Sequence, residues 1–280
     1  MNLMKVVILA GGLGTRLSEE TELKPKPMVE IGSRPILWHV MKHYAHYGFN
    51  EFLVALGYRG DIIKRFFLDY YALSGSLTID LSRGQVESHQ RECEDWKVHL
   101  IETGEQSYTG GRIRRLAPWL RDETFLLTYG DGVSSVDLDE LVRFHRRSGC
   151  VATVSAVRPP ARFGGLVFEG ERVAGFAEKS QVHEGWINGG FMVCEPEVLD
   201  LMDDDSTVLE TDVLERLAKS GQLAAYRHEG FWQCMDTLRD VRMLQSLWDS
   251  GAAPWKTWDS DWTEALIPST FGMGQVSVAA

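Results

Sequence analysis

No uncharged apolar run in this chain approaches the roughly 20 residues that cross a bilayer. The stretch Met1–Ala10 also lacks the layout of a cleavable secretory leader. Together these absences predict a soluble, cytoplasmic protein that does not engage a membrane. Cysteine is scarce: Cys93, Cys150, Cys194 and Cys234 lie far apart and form no C-x-x-C pair, so neither a zinc knuckle nor a redox dithiol is signalled. Positive charge is in deficit, with 29 Lys and Arg against 40 Asp and Glu and a net charge of −11. Duplex binding needs clustered cations to displace counterions, so no nucleic-acid partner is expected. Any anionic ligand would instead be met locally, by a few placed cations, backbone N–H groups or a divalent metal. There is no internal repeat and no low-complexity linker.

Within 280 residues, 44% apolar and 25% charged, there is ample material for a sizeable core. Strand and helix signals alternate, which predicts a mostly parallel sheet covered on both faces. Strands are expected at Val6–Ala10, Phe52–Leu56, Val98–Glu102, Thr124–Thr128, Val151–Val157 and Gly190–Cys194. Helices are expected at Ile36–Tyr47, after a cap at Asp61, at Gly111–Leu120 with a break at Pro118, from Asp137 or Asp139 to Gly149, and over Val208–Lys219 and Thr237–Ser250. Leu166–Glu169 and Val173–Ala177 read as a hairpin inserted into this βα pattern. A single domain over 1–258 follows, changing character at about 150, with a tail over 259–280.

The segment "AGGLGTRL", Ala10 to Leu17, leaves the first strand through a glycine turn of the kind that lets backbone approach a phosphate. It matches neither G-x-G-x-x-G nor G-x-x-x-x-G-K-[ST], which speaks against a nicotinamide-dependent oxidoreductase and a P-loop. Ten positions beyond Arg16, Lys26 stands between Pro25 and Pro27, whose fixed φ presents the lysine on a stiff segment. Asp131 follows a buried strand in "TYGDG", where α/β sheets bind ligands, although an Asp-Gly pair also makes a plain turn. Asp236, in "GFWQCMDT", is placed either to cap the next helix or to join Asp131 on one hard divalent cation. His39, His43 and His46 share one predicted helix and need no catalytic role.

Taken together, "VVILAGGLGTRLSEETELKPKP", "YTGGRIRR", "TYGDGVSS", "RFGGLVFEG", "INGGFMV" and "GFWQCMDTLRD" resemble the sugar nucleotidyltransferase family, in its cytidylyltransferase branch, over nearly the whole chain to Trp258. The resemblance implies a Rossmann-like α/β fold, mixed and mainly parallel, with a small β insertion. It implies transfer of a cytidylyl group from CTP to glucose 1-phosphate, giving CDP-glucose and pyrophosphate with Mg2+. UTP or dTTP, or another sugar 1-phosphate, stays open, as does a non-catalytic nucleotide-sugar sensor. Carried over by residue, the resemblance assigns Gly11, Gly12, Leu13, Gly14, Thr15, Thr109, Arg112 and Gly130 to the nucleotide. Arg16 and Lys26 would also contact it and neutralise charge at the reacting phosphates. Tyr129, Glu178, Lys179, Asn188 and Gly189 would hold the sugar phosphate, and Asp131 and Asp236 the metal. Three positions depart from the pattern: Ser180 and Cys234 stand where proline is usual, and Leu209 where tryptophan is. A homo-oligomer is implied as well, with Trp248, Trp255, Trp258 and Trp262 at the chain's end fitting either an interface or core packing.

Overall fold

A computed structural model describes residues 4–12, 24–89, 93–159, 165–177 and 185–258. The elements in chain order are β1 (Val6–Leu9), the short ladder of β2 (Glu30–Ile31) and β3 (Arg34–Pro35), α1 (Ile36–His46), β4 (Glu51–Leu56) and α2 (Gly60–Ala72). A hairpin of β5 (Ser76–Asp80) and β6 (Gln85–His89) precedes β7 (Lys97–Glu102), α3 (Thr109–Arg115), α4 (Ala117–Leu120), β8 (Phe125–Tyr129) and β9 (Gly132–Ser134). Then come α5 (Leu138–Ser148), β10 (Ala152–Val157), the hairpin β11 (Gly165–Glu169) and β12 (Arg172–Ala177), and β13 (Ile187–Cys194). A π-helical turn at Leu209–Leu214 runs into α6 (Glu215–Lys219), followed by β14 (Leu223–His228), β15 (Trp232–Cys234) and α7 (Leu238–Asp249).

Seven strands form the central sheet in the order β14-β10-β13-β8-β1-β4-β7. Every pairing is parallel except the two made by β13, which runs antiparallel to β10 and β8. This is the mixed, mainly parallel sheet expected, and strands from both halves of the chain share it. β1 sits between β4 and β8 with every residue buried, so its side chains alternate into two cores. Val6 and Ile8 face a layer containing α1, Leu244 of α7 and Trp255; Val7 and Leu9 face one containing Ile113, Leu120 and Leu217. The β11–β12 hairpin forms its own two-stranded sheet, as the sequence pattern predicts.

Several local expectations are corrected. Arg59, not Asp61, occupies the cap position of α2, in a left-handed conformation with φ 51°; Asp61 lies in the first turn, where its charge still complements the helix dipole. The helix expected over Val208–Lys219 begins as a π-turn. The strands β14 and β15 and the exposed β5–β6 hairpin carry no alternation strong enough to be read in advance. Of the terminal tryptophans, Trp255 and Trp258 are buried and Trp248 packs against the core, with Trp248 and Trp255 stacked at 6.4 Å, so core packing accounts for them. Trp262 lies outside the described residues, as does the tail.

His39 and His43 sit inside this packing as neutral rings. His39 Nε2 donates to the Ile31 carbonyl at 2.9 Å, and its Nδ1 faces the Trp255 indole N–H at 3.5 Å. His43 Nε2 donates to the Val136 carbonyl and Nδ1 accepts from the Thr257 hydroxyl, both at 3.0 Å. Burial lowers each to a pKa of about 4.

Candidate active site

β1 and β8 run side by side and end together, Leu9 opposite Tyr129. Beyond their carboxyl ends opens a cleft of about 970 Å³ lined by residues that include Gly11, Gly12, Lys26, Thr109, Arg112, Tyr129, Asp131 and Asp236. Parallel sheets place ligands at this edge, because crossover loops leave it uncovered.

Lys26 enters the cleft from a 3-10 turn, Lys26–Met28, held on one side by extended Pro25 and closed by Met28 N–H donating to the Pro25 carbonyl at 2.8 Å. Pro27 packs against Gly130, where an added Cβ would lie 3.1 Å from Pro27 Cγ and 3.2 Å from the Leu9 carbonyl oxygen. The Lys26 ammonium donates to Asp131 Oδ2 at 2.7 Å and to Asp236 Oδ1 at 2.5 Å. Desolvation draws its pKa down, but the charge of Asp131 and the hydrogen bonds to both carboxylates outweigh it and hold the ammonium above its ordinary value.

The two aspartates are far apart in sequence and are joined by backbone. β9 pairs with β15, Gly132 opposite Cys234, and the Met235 N–H donates to the Asp131 carbonyl at 2.9 Å. Asp236 does not cap α7. Thr237 does, in a capping box with Asp240, so the Asp236 side chain is left to the cleft. The Cys234 thiol completes a cluster in which one donor atom each from Asp131, Cys234 and Asp236 lies within 4.8 Å of the others.

Arg112 forms the cleft's inner wall. Its guanidinium donates to the carbonyls of Gly104 (2.7 Å), Gly11 (2.9 Å), Leu56 and Glu105 (both 3.1 Å) and to the Thr103 hydroxyl (2.9 Å). It braces the glycine turn against the loop after β7. Burial, with Arg115 nearby, lowers its pKa, yet a guanidinium stays charged. The preceding glycines serve close packing: a Cβ on Gly111 would lie 2.3 Å from the Asp205 carbonyl oxygen, and one on Gly110 2.8 Å from Thr207 Cγ2.

Glu210, on the π-turn, was not among the residues picked from sequence. Its carboxylate accepts from Thr109 Oγ1 at 2.8 Å and from the Tyr129 hydroxyl, tying the start of α3 to the end of β8. A helix signal alone could not single it out; the π-turn that aims it has no sequence signature. Tyr129 also bonds the Asn188 side chain, and burial followed by the Glu210 charge pushes its phenol up. Asn188 itself accepts from the Gly190 N–H at 2.9 Å, and the Gly189 carbonyl accepts from the Trp232 indole at 2.7 Å, so among the described residues this edge of β13 is tied to the cleft through Tyr129. Leu13, Gly14, Thr15, Arg16, Glu178 and Lys179 lie outside the described residues.

The Nucleotidyl transferase family model matches residues 5–253. The chain belongs to that family. This nucleotidyl transferase is 49% identical over 257 residues, 91% of its length and all of the relative's, to glucose-1-phosphate cytidylyltransferase of Salmonella typhi. It is 46% identical, over 91% of its length and all of the relative's, to a probable glucose-1-phosphate cytidylyltransferase of Bacillus subtilis. In fold it resembles the crystal structure of HddC from Yersinia pseudotuberculosis, with a TM-score of 0.65 at 24% identity over 88% of this chain and 100% of that one. No helix among the described residues is long and apolar enough to cross a membrane.

Proposed function

We propose that this nucleotidyl transferase moves a cytidylyl group from CTP onto the phosphate of α-D-glucose 1-phosphate, releasing pyrophosphate and CDP-glucose. The observation that carries the reading is Lys26 held against Asp131 and Asp236 in the cleft, on a chain so close throughout to glucose-1-phosphate cytidylyltransferases. An oxygen of the sugar phosphate attacks the α-phosphorus of CTP in line; a P–O bond forms there as the bond to the bridging oxygen of pyrophosphate breaks. The nucleophile is already an anion, so no side chain has to remove a proton. What the protein supplies is proximity of two polyanions and compensation for the spreading charge.

Gly11 and Gly12 admit the nucleotide's backbone-facing groups, Arg112 keeps the turn in place, and Lys26 offers a stiffly mounted cation to the phosphates. Thr109 and Tyr129, linked through Glu210, align the nucleotide side of the cleft with the sugar side, to which Asn188 and Gly189 belong. Arg16 would add charge at the triphosphate, and Glu178 and Lys179 would meet the sugar phosphate. Two carboxylates converging on one cation fit a hard divalent ion, so Asp131 and Asp236 would hold Mg2+. When bound, the ion supplies charge neutralisation on the phosphate oxygens.

The same reading puts the reaction in the cytoplasm, and the enzyme in a homo-oligomer. Support for assembly comes from Leu68, Tyr71, Leu73, Ile79, Leu81 and Val86, exposed along the end of α2 and the hairpin after it. The deciding experiment is pyrophosphate release with Mg2+, crossing CTP, UTP, dTTP and ATP against glucose 1-phosphate and other sugar 1-phosphates. Release with CTP and glucose 1-phosphate, abolished by Asp131→Asn, supports the proposal. Release with another pair only reassigns the substrates, and none with any pair refutes catalysis.

A further inference from the structure

The thiol of Cys234 has no part in that reaction, yet it shares a cation-sized space with both site carboxylates. We propose that Asp131, Cys234 and Asp236 form a three-donor site selective for thiophilic divalent ions of the Zn2+ and Co2+ class over Mg2+. The inference rests on the proposed metal role of the two aspartates and adds a ligand to it.

Two independent observations support it. The first is the Lys26 ammonium, a cation on which Asp131 and Asp236 already converge at 2.7 and 2.5 Å; their geometry accepts positive charge at one point. The second is the rigidity of the frame. Cys234 is fixed opposite Gly132 in the β9–β15 ladder, and the next residue bonds to the Asp131 carbonyl, so the backbone positions that carry the thiol and the two carboxylates are held side by side.

Mg2+ takes oxygen ligands and sheds water reluctantly, so it leaves the thiol protonated and uncoordinated. Zn2+ and Co2+ accept thiolate readily. As the metal–sulfur bond forms, the thiol proton passes to solvent; no electron moves. The incoming ion and the Lys26 ammonium compete for the same carboxylate oxygens. Two carboxylates and one thiolate leave positions open for phosphate oxygens or water, as in catalytic rather than structural sites.

The test is an anaerobic titration of the full chain with Co2+, read by the near-ultraviolet thiolate-to-cobalt charge-transfer absorption. The expected result is a band that saturates at a single ion per chain, is bleached by Zn2+, and is absent in both Cys234→Ser and Cys234→Ala. The Zn2+ affinity of these variants should fall at least tenfold, and toward about 100-fold, while Mg2+ affinity changes less than about threefold. Circular dichroism of the variants establishes that they are folded. A band that survives in them would come from Cys93, Cys150 or Cys194 and would overturn the proposal, as would no band in the unaltered chain. Pyrophosphate release with Mg2+ is measured on the same preparation. Release without a band refutes the sulfur site and leaves the proposed reaction standing; a band without release does the reverse.

Discussion

Replacing Arg112 by Met tests whether that side chain is a brace. Met keeps much of the length and apolar volume and removes all five hydrogen bonds. The acceptors do not suffer equally. The Leu56 carbonyl keeps the Thr103 hydroxyl at 2.6 Å and the Thr103 N–H at 3.0 Å, and the Gly11 carbonyl keeps the Tyr58 N–H at 3.2 Å. The full loss therefore falls on the Gly104 and Glu105 carbonyls. At about 1.5–3 kcal/mol for each bond from a charged donor, those two account for about 3–6 kcal/mol. Removing a charge whose described hydrogen bonds all go to neutral oxygens gives part of that back, leaving a net loss of about 3 kcal/mol. For a chain of this size that corresponds to a fall in Tm of about 5 °C. The freed Gly11 turn should also raise KM for CTP about tenfold, with a smaller effect on glucose 1-phosphate. Calorimetry and the pyrophosphate assay read the two effects. Arg112→Lys, a point charge without the fork, should recover less than half the stability. An Arg112→Met protein with unaltered Tm and lost CTP binding would refute the brace and make Arg112 a direct nucleotide contact.

Asp236→Asn should lower kcat by about 100-fold or more, because a charge in the cleft is lost, while Tm falls by no more than about 2 °C, since the cap of α7 is made elsewhere; differential scanning calorimetry beside the pyrophosphate assay checks both. Acid should destabilise the fold through His39 and His43. Their folded pKa of about 4 lies below that of an unfolded histidine, about 6.5, so the unfolded chain binds more protons in this window. Stability is full above about pH 6.5 and falls as pH drops toward 4, at up to about 1.4 kcal/mol per pH unit for each ring; His43→Gln should flatten denaturant midpoints measured across that range. Trp255→Ala empties a fully buried site and should cost about 3–5 kcal/mol by urea unfolding, with kcat unchanged in whatever folded fraction remains.

The sequence made the frame of the fold readable wherever one physical signal dominated. β1 and β8 are buried on both faces and appear as apolar runs, and α5 carries both its Asp137 cap and its closing Gly149 in the left-handed region. Asp131 and Lys26 were readable because glycine and proline mark the backbone around them. What could not be read depends on partners distant in sequence. The three-residue strands β9 and β15 have no internal period and exist through each other. Arg112 sits in a basic cluster that looks like a solvated face, and only the carbonyls it meets, in part from residues far back in the chain, reveal it as a buried strut. Glu210 depends on a π-turn whose extra residue rotates it toward Tyr129.

Thr237 and Asp240 close the start of α7 one residue beyond Asp236. Folding and chemistry thus fall to adjacent codons that can drift separately. Substitutions at 237 or 240 would be screened by the amount of protein that survives in the cell, and those at 236, on the proposed function, chiefly by turnover. If 236 and 234 set a cation preference as proposed, a lineage could retune it while the cap formed by Thr237 and Asp240 stays intact.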